Sequence, residues 1–287
     1  MSPKMKNFIV RAITGALFVA IMVAGLLDPT AMIGLFALIT GLALWEYTGL
    51  VNNIENVCIN RFISTVAGVY LFVAIAGINS GVIQTNAVFV PYLLTVVYLF
   101  ISELYTRNAN AVNDWAYTML GQMYIALPLA CINVLAFRQQ PDGTISFYFL
   151  LPLSVYIFLW INDTGAYLSG SLLGRHKLFP RISPGKSWEG SIGGGLLVLA
   201  VAALLGWWEN SHECLSGLSI IEWMGLGLVV VFFGTWGDLV ESLFKRTLGI
   251  KDSGSILPGH GGMLDRFDSS LMAIPASVIY IYSLTLL

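Results

Sequence analysis

From Phe62 to Ser102 the chain runs forty-one residues without one Asp, Glu, Lys or Arg. As a single helix rising 1.5 Å per residue, that run would be about 60 Å long, twice the ~30 Å hydrocarbon core of a bilayer. It must fold back on itself, and Asn79-Ser80-Gly81 with Gln84-Thr85-Asn86 marks where. Apolar residues are continuous on both sides of that turn, whereas a lipid-facing strand would alternate them, so the spans are helices and not barrel strands. The rest of the 287 residues agree: 57% are hydrophobic and 10% charged, against about 25% charged in a soluble domain. So little charge cannot clothe a water-facing surface. With Gly 29 lacking a three-residue period, Pro 10 and Cys 3, collagen-like, disordered and disulfide-built chains are excluded as well. Cys58, Cys131 and Cys214 stand singly, without a C-x-x-C pair or clustered histidines, so neither a zinc site nor a disulfide framework is expected.

Windows near 20 apolar residues fall at 8–27, 30–50, 62–81, 87–105, 115–137, 146–170, 190–208, 217–237 and 269–287. The expected fold is therefore an all-α polytopic membrane protein of about nine spans. With the amino terminus cytoplasmic, 13 of the 14 Lys and Arg residues lie on the cytoplasmic side, Arg138 alone outside, and the carboxyl terminus is external. Eight or ten spans would scatter the later cations onto both faces. The first run is read as a retained helix, because Leu26-Leu27-Asp28-Pro29 offers no small-x-small cleavage site. Five spans over 1–145 form an N-terminal membrane region. Four over 146–287 form a second region, with polar cytoplasmic loops at 171–189 and 238–268. No internal repeat points to a two-fold transporter architecture.

Acids near or inside spans are costly unless paired or metal-bound, so each needs a reason. Glu46, between Trp45 and Tyr47 near a cytoplasmic helix end, reads as an interfacial anchor. Asp163 interrupts an apolar helix before a glycine-rich exit; it either lines a cytoplasm-facing cavity or joins a helix–helix contact with Gly165, Ala166 and Ser169. Ser183-Pro184-Gly185-Lys186-Ser187 leads into the seventh helix. Such a turn offers backbone N–H groups, hydroxyls and a cation suited to a phosphate, though its spacing is not that of a Walker loop.

The densest constellation runs from Gly237 to Asp268. On a helix, Asp238, Glu241, Ser242 and Lys245 share one face at i, i+3, i+4 and i+7. Carboxylates at the end of the eighth helix and the start of the ninth can converge across the glycine loop, giving hard oxygen ligands of the kind Mg²⁺ takes alongside substrate phosphates. Lys245, Arg246, Lys251 and Arg266, with Lys186, would neutralise a polyphosphate. An ion-paired interfacial loop explains the cations, but not the Gly259–Gly262 stretch around His260 or the acids recessed at two helix ends. His260 can bind a phosphate, meet a base edge or cap a turn.

Residues 242–268 read S-x-x-K-R-x4-K-D-x-G-x3-P-G-H-G-G-x2-D-R-x-D, which resembles the signature of phosphatidate cytidylyltransferases, the CDP-diacylglycerol synthases. The turn at 183–190 and Asp163-Thr164-Gly165-Ala166-Tyr167 resemble that family's upstream motifs. The likeness covers about 155–270, and the first five helices follow by continuity. It implies attack of phosphatidic acid on the α-phosphorus of CTP, giving CDP-diacylglycerol and pyrophosphate. It further implies Mg²⁺ held by Asp238 and Asp265, with Asp163 or Glu241 as further members and a monovalent cation as an open companion. Lys245, Arg246, Lys251 and Arg266 would hold phosphates. Ser183, Lys186 and Ser187 would form part of a phosphate cradle, and His260, Gly261 and Gly262 would let backbone approach the nucleotide. The expected setting is the inner (cytoplasmic) membrane, with the site facing the cytoplasm and no nucleic-acid partner. Small-residue helix faces permit a homodimer. The alternatives are a nucleotidyltransferase for another lipid phosphate and a membrane transporter.

Overall fold

The computed structural model describes residues 3–106, 110–140, 142–212, 216–256 and 261–284. It is 74% helical and divides into two units: Met1–Phe149 with Leu248–Phe267, and Leu150–Thr247 with Asp268–Leu287.

The first unit holds α1 (Pro3–Leu26), α2 (Pro29–Val51), α3 (Arg61–Asn79), α4 (Val90–Ser102) and α5 (Ala111–Ala136). Local chemistry sets their starts. Asp28 accepts from the Ala31 amide (2.8 Å) with Pro29 as the first helical residue, and Asn60 accepts from the Ile63 amide (3.0 Å). Within α5 a π-turn at Gln122–Ala126 precedes Pro128, which has no N–H to give the ladder. Gln122 turns inward there and donates to the Ser64 carbonyl of α3 (2.8 Å), so the helix pair is tied by a buried polar contact. A hairpin follows, β1 (Phe137–Gln139) against β2 (Ile145–Phe147), its turn closed by Asp142 and by Gly143 at φ +84°.

The second unit is built from α6 (Leu150–Leu173), the hairpin β3 (Lys177–Phe179) with β4 (Ser183–Ser187), α7 (Trp188–Ser211) and α8 (Ile220–Thr247). The short α9 (Leu264–Phe267) belongs to the first unit, and α10 (Ser270–Leu284) to the second. Helices α6 and α7 cross where neither has bulk. A Cβ on Gly165 would lie 2.9 Å from the Gly194 Cα, and one on Gly190 would lie 2.8 Å from the Ala166 carbonyl oxygen. Small-residue contacts of this kind let helix backbones approach closely in lipid, where no hydrophobic drive brings them together.

Among the described residues six helical segments are long and apolar enough to cross a membrane: Pro29–Val51, Arg61–Asn79, Ala111–Ala136, Trp188–Ser211, Ile220–Thr247 and Leu264–Leu284. Shorter apolar helices lie at Ala12–Leu26 and Asn86–Ser102. Helix α6 has the length, but Asn162 and Asp163 break its apolar run and it is not one of the six. Two departures from the sequence expectation matter. The chain is not wholly α, because it carries two small two-stranded sheets, and β3–β4 occupies the segment expected to be a plain polar loop at 171–189. Helix α8 also continues to Thr247, so the expected loop at 238–268 opens with helix, the one on which Asp238, Glu241, Ser242 and Lys245 share a face; no Gly or Pro interrupts it and its polar side chains pair one turn apart.

The α6–α7 crossing leaves no space for a methyl group. Gly194→Ala would put a Cβ 2.6 Å from the Asn162 Oδ1 and 2.7 Å from the Asn162 carbonyl oxygen. Overpacking of this kind costs about 1–3 kcal/mol, so this variant should melt at a lower temperature in detergent. Gly34→Ala, which has nothing within 4 Å of its added methyl, should melt with the parent.

Candidate active site

In the second unit the α6–α7 crossing opens into a cavity of about 270 Å³. Asn162, Asp163, Ala166 and Tyr167 line it from α6, Gly185, Lys186 and Ser187 from β4, Gly190 and Ser191 from α7, and Thr235 from α8. The hairpin positions the turn residues. Lys177 pairs with Ser187 and Phe179 with Ser183 across the ladder, and the Trp188 amide donates to the His176 carbonyl (2.9 Å) where α7 begins. Ser187 is buried and its hydroxyl accepts from the Gly190 amide (3.2 Å), so it serves as the N-cap of α7. Ser183 stands at the start of β4 and is not one of the lining residues. Lys186 reaches across the cavity to α8, its Nζ 2.5 Å from the Asp238 Oδ2 and 3.5 Å from the Thr235 carbonyl oxygen.

Helix α8 carries its polar face as expected, and most of that face is paired internally. The Ser242 hydroxyl donates to the Asp238 Oδ1 (3.1 Å). Glu241 is fully buried and its Oε2 lies 2.6 Å from the Lys245 Nζ one turn on. A buried charge in an apolar helix persists when paired this way, because removing either partner strands the other. Arg246, the next residue, is exposed.

Helix α8 also meets the chain that leads into α10. A Cβ on Gly237 would lie 2.9 Å from the Asp268 carbonyl oxygen and 3.1 Å from that of Ser269, so only glycine allows this approach. The approach sets Asp268 beside Asp238. The Asp268 Oδ1 accepts from the Ser269 amide (2.5 Å). Asp163 lines the cavity that Lys186 crosses to reach Asp238. The sequence noted Asp268 as an acid out of place but gave it no role; its only local signal was the D-R-x-D spacing at a helix start.

The remaining sequence-selected residues belong to the first unit. The Asp265 Oδ2 accepts from the Ser253 amide (2.9 Å) and the Gly262 amide (2.8 Å), closing the glycine segment on itself. Gly261 has φ +84°, a left-handed conformation that favours glycine. Lys251 and Arg266 are exposed. His260 lies outside the described residues. Glu46 departs from the interfacial-anchor reading: it is 7% exposed, and its Oε2 accepts from the Leu264 amide (2.9 Å) and the Ser253 hydroxyl (3.2 Å).

Among the described residues no group of three or more His, Cys, Asp or Glu is arranged to enclose a metal ion. The Asp238–Asp268 pair supplies hard carboxylate oxygens, and Mg²⁺ commonly needs one or two of these when phosphate oxygens and water complete its shell. The donor set therefore fits that ion.

Comparison with known proteins extends the likeness over nearly the whole chain. Residues 6–284 match the model of a family described as the cytidylyltransferase family. A phosphatidate cytidylyltransferase of Staphylococcus aureus is 32% identical over 267 residues, which is 93% of this chain and 96% of that protein. A Staphylococcus epidermidis protein of the same name matches to the same extent. One from Haemophilus influenzae is 32% identical over 255 residues, covering 84% of this chain and 87% of its own.

The Lys186–Asp238 pair joins the hairpin to α8 and is about three-quarters shielded from solvent. A double-mutant cycle with Lys186→Met and Asp238→Asn, read by thermal melting in detergent, should give a coupling energy of about 1 kcal/mol. Additive melting shifts would mean that the two charges do not sense one another.

Proposed function

The chain belongs to the cytidylyltransferase family and catalyses CTP-dependent synthesis of CDP-diacylglycerol; we propose that it does so with Mg²⁺, around the polar ends of α6, α7 and α8. The observation that carries this reading is the ion pair between Lys186 and Asp238 across the cavity, in a chain with few charged residues.

In the reaction a phosphatidate oxygen forms a bond to the α-phosphorus of CTP, the bond from that phosphorus to the bridging oxygen breaks, and pyrophosphate leaves. Both reactants are anions and the attacking oxygen is already ionised at neutral pH, so no strong base is required. Charge repulsion and alignment make the barrier, and fixed cations lower it. Lys186 is suited to this work because its ammonium rests on a carboxylate it can leave: an arriving phosphate oxygen takes the lysine, and Asp238 is released for a different cation. Lys245 pairs with Glu241 and holds the polar face of α8 together, while Arg246, Lys251 and Arg266 are exposed, and the family likeness gives them to phosphate. Bound Mg²⁺ neutralises and polarises phosphate oxygens. Asp238 and Asp268 would hold it, with Asp163 lining the cavity, and the family likeness adds Asp265, whose carboxylate is oriented by two backbone amides. Ser187 contributes by capping α7 beside the cavity. The glycines at 261 and 262 leave room for backbone to approach the nucleotide. The acyl chains stay in the bilayer against apolar helix surface, which carries no readable preference among them.

We further propose nine spans in an inner membrane, with the amino terminus and the site on the cytoplasmic side. The six long apolar segments, the two shorter ones and α6 supply that number, and the lopsided distribution of Lys and Arg supports the orientation.

Purified protein incubated with labelled CTP, Mg²⁺ and phosphatidic acid should yield a lipid-linked cytidine and pyrophosphate. Equal product from ATP, or none from any nucleotide, would overturn the reading. Asp238→Asn and Asp265→Asn should insert into membranes normally and lose turnover by about 10²-fold or more, the scale seen when charge stabilisation is removed from a reacting centre. Normal turnover in either variant would remove that residue from the metal site.

A further inference from the structure

We propose that Glu46, a buried acid in membrane helix α2, is a positioning residue for the reaction: it holds the glycine segment in the conformation that orients Asp265. This rests on the functional reading above, and it concerns a residue more than two hundred positions away in sequence from the segment it serves.

A carboxylate 7% exposed in an apolar helix is expensive to keep. Among the described residues its partners are not cations but neutral donors of the glycine segment. The Oε2 accepts from the Leu264 amide at 2.9 Å and from the Ser253 hydroxyl at 3.2 Å. Ser253 is shared: its hydroxyl goes to Glu46, while its amide donates to the Asp265 Oδ2 at 2.9 Å. Gly262 has the same double relation. Its amide donates to Asp265 at 2.8 Å, and a Cβ on it would lie 2.5 Å from the Glu46 Oε2. A Cβ on Gly254 would fall directly on the Glu46 Oε1. Two glycines are thus pressed against one carboxylate, and the segment lies between two acids, Glu46 on the helix side and Asp265 on its own chain.

An apolar residue at position 46 would fill the space and bury surface equally well. It would not accept from the Leu264 amide or the Ser253 hydroxyl, and a buried donor left unmatched is costly. The carboxylate therefore does what packing cannot: it fixes the Leu264 amide that precedes Asp265, and through the Ser253 hydroxyl it holds the residue whose own amide donates to the Asp265 carboxylate. Small displacements of a reacting group, about 1 Å, can cost as much as 10²-fold in rate.

The test uses the full chain in detergent or nanodiscs, as wild type, Glu46→Gln and Glu46→Ala. Turnover is followed against CTP and against Mg²⁺, and amide exchange is followed at 253–256 and 261–265. With alanine, kcat/KM should fall by about tenfold to a hundredfold, the Mg²⁺ concentration for half-maximal rate should rise several-fold, and the amides of Ser253, Gly262 and Leu264 should exchange faster while those of α3 do not change. Glutamine keeps one acceptor oxygen and should recover part of each loss. The proposal is overturned if alanine leaves kcat/KM and the Mg²⁺ dependence within about twofold of wild type, or if activity falls only in step with the folded fraction at unchanged Mg²⁺ dependence. Should the alanine variant fail to fold, glutamine, nearly identical in size, decides by the same readings. A wild type without turnover would overturn the functional reading, and the exchange measurements would still decide whether Glu46 holds the segment.

Discussion

The cost of placing charge in an apolar medium governs this molecule more than any single contact. Only 10% of the residues are charged, and several of the acids that enter helices are held by a cation or by hydrogen-bond donors. Glu241 meets Lys245 within one turn of α8, Asp238 meets Lys186 from the hairpin, and Glu46 meets the donors of a glycine segment. Glu209 is another such case: it is buried in α7 and accepts from the Trp223 Nε1 (2.7 Å) and the Ser216 amide (2.8 Å). Each arrangement ties together segments that hydrophobic packing alone would not align, because a greasy helix face against greasy neighbours has little preferred register.

Glycine is the complement of that constraint. Polar groups can satisfy one another only if backbones come close enough, and here they come close at glycines. Gly165, Gly190 and Gly194 bring α6 onto α7 and so shape the cavity beside Lys186. Gly237 admits the chain at Asp268, and Gly254 and Gly262 lie against Glu46. A side chain at any of these points would part the groups that the fold has to pair.

This explains what could be read in advance and what could not. The apolar spans were legible because length and hydrophobicity are local, and the polar face of α8 was legible because helical spacing is local. The extension of α8 to Thr247 was harder to see, since the sequence marks the rise in polarity at Asp238 more loudly than the i,i+4 pairs that carry the helix onward. The β3–β4 hairpin left little trace: its strands are three and five residues long, and Ser183-Pro184-Gly185 reads as a turn. Asp268 and Glu46 were visible as anomalies, but their partners are nonlocal. For Glu46 they lie 207 and 218 residues away, and no periodicity carries information over that distance. The motif resemblance supplied roles for Asp238, Lys186 and Asp265 that spacing alone would have left open.

The same economy of charge suits the chemistry to its place. A reaction between a lipid phosphate and a nucleotide triphosphate needs cations and carboxylates at the depth where the lipid headgroup lies, and apolar surface below it. Lys186 and Asp238 make the argument concrete. Each neutralises the other beside the cavity, so neither charge is stranded in a poorly hydrated place, yet the pair is about a quarter exposed and not sealed away. A fully buried pair such as Glu241–Lys245 would be too costly to separate, and a fully exposed one would be worth too little to organise the hairpin against α8. Partial exposure is the condition under which an ion pair can hold the hairpin to α8 and, in the function proposed, also yield to an incoming phosphate.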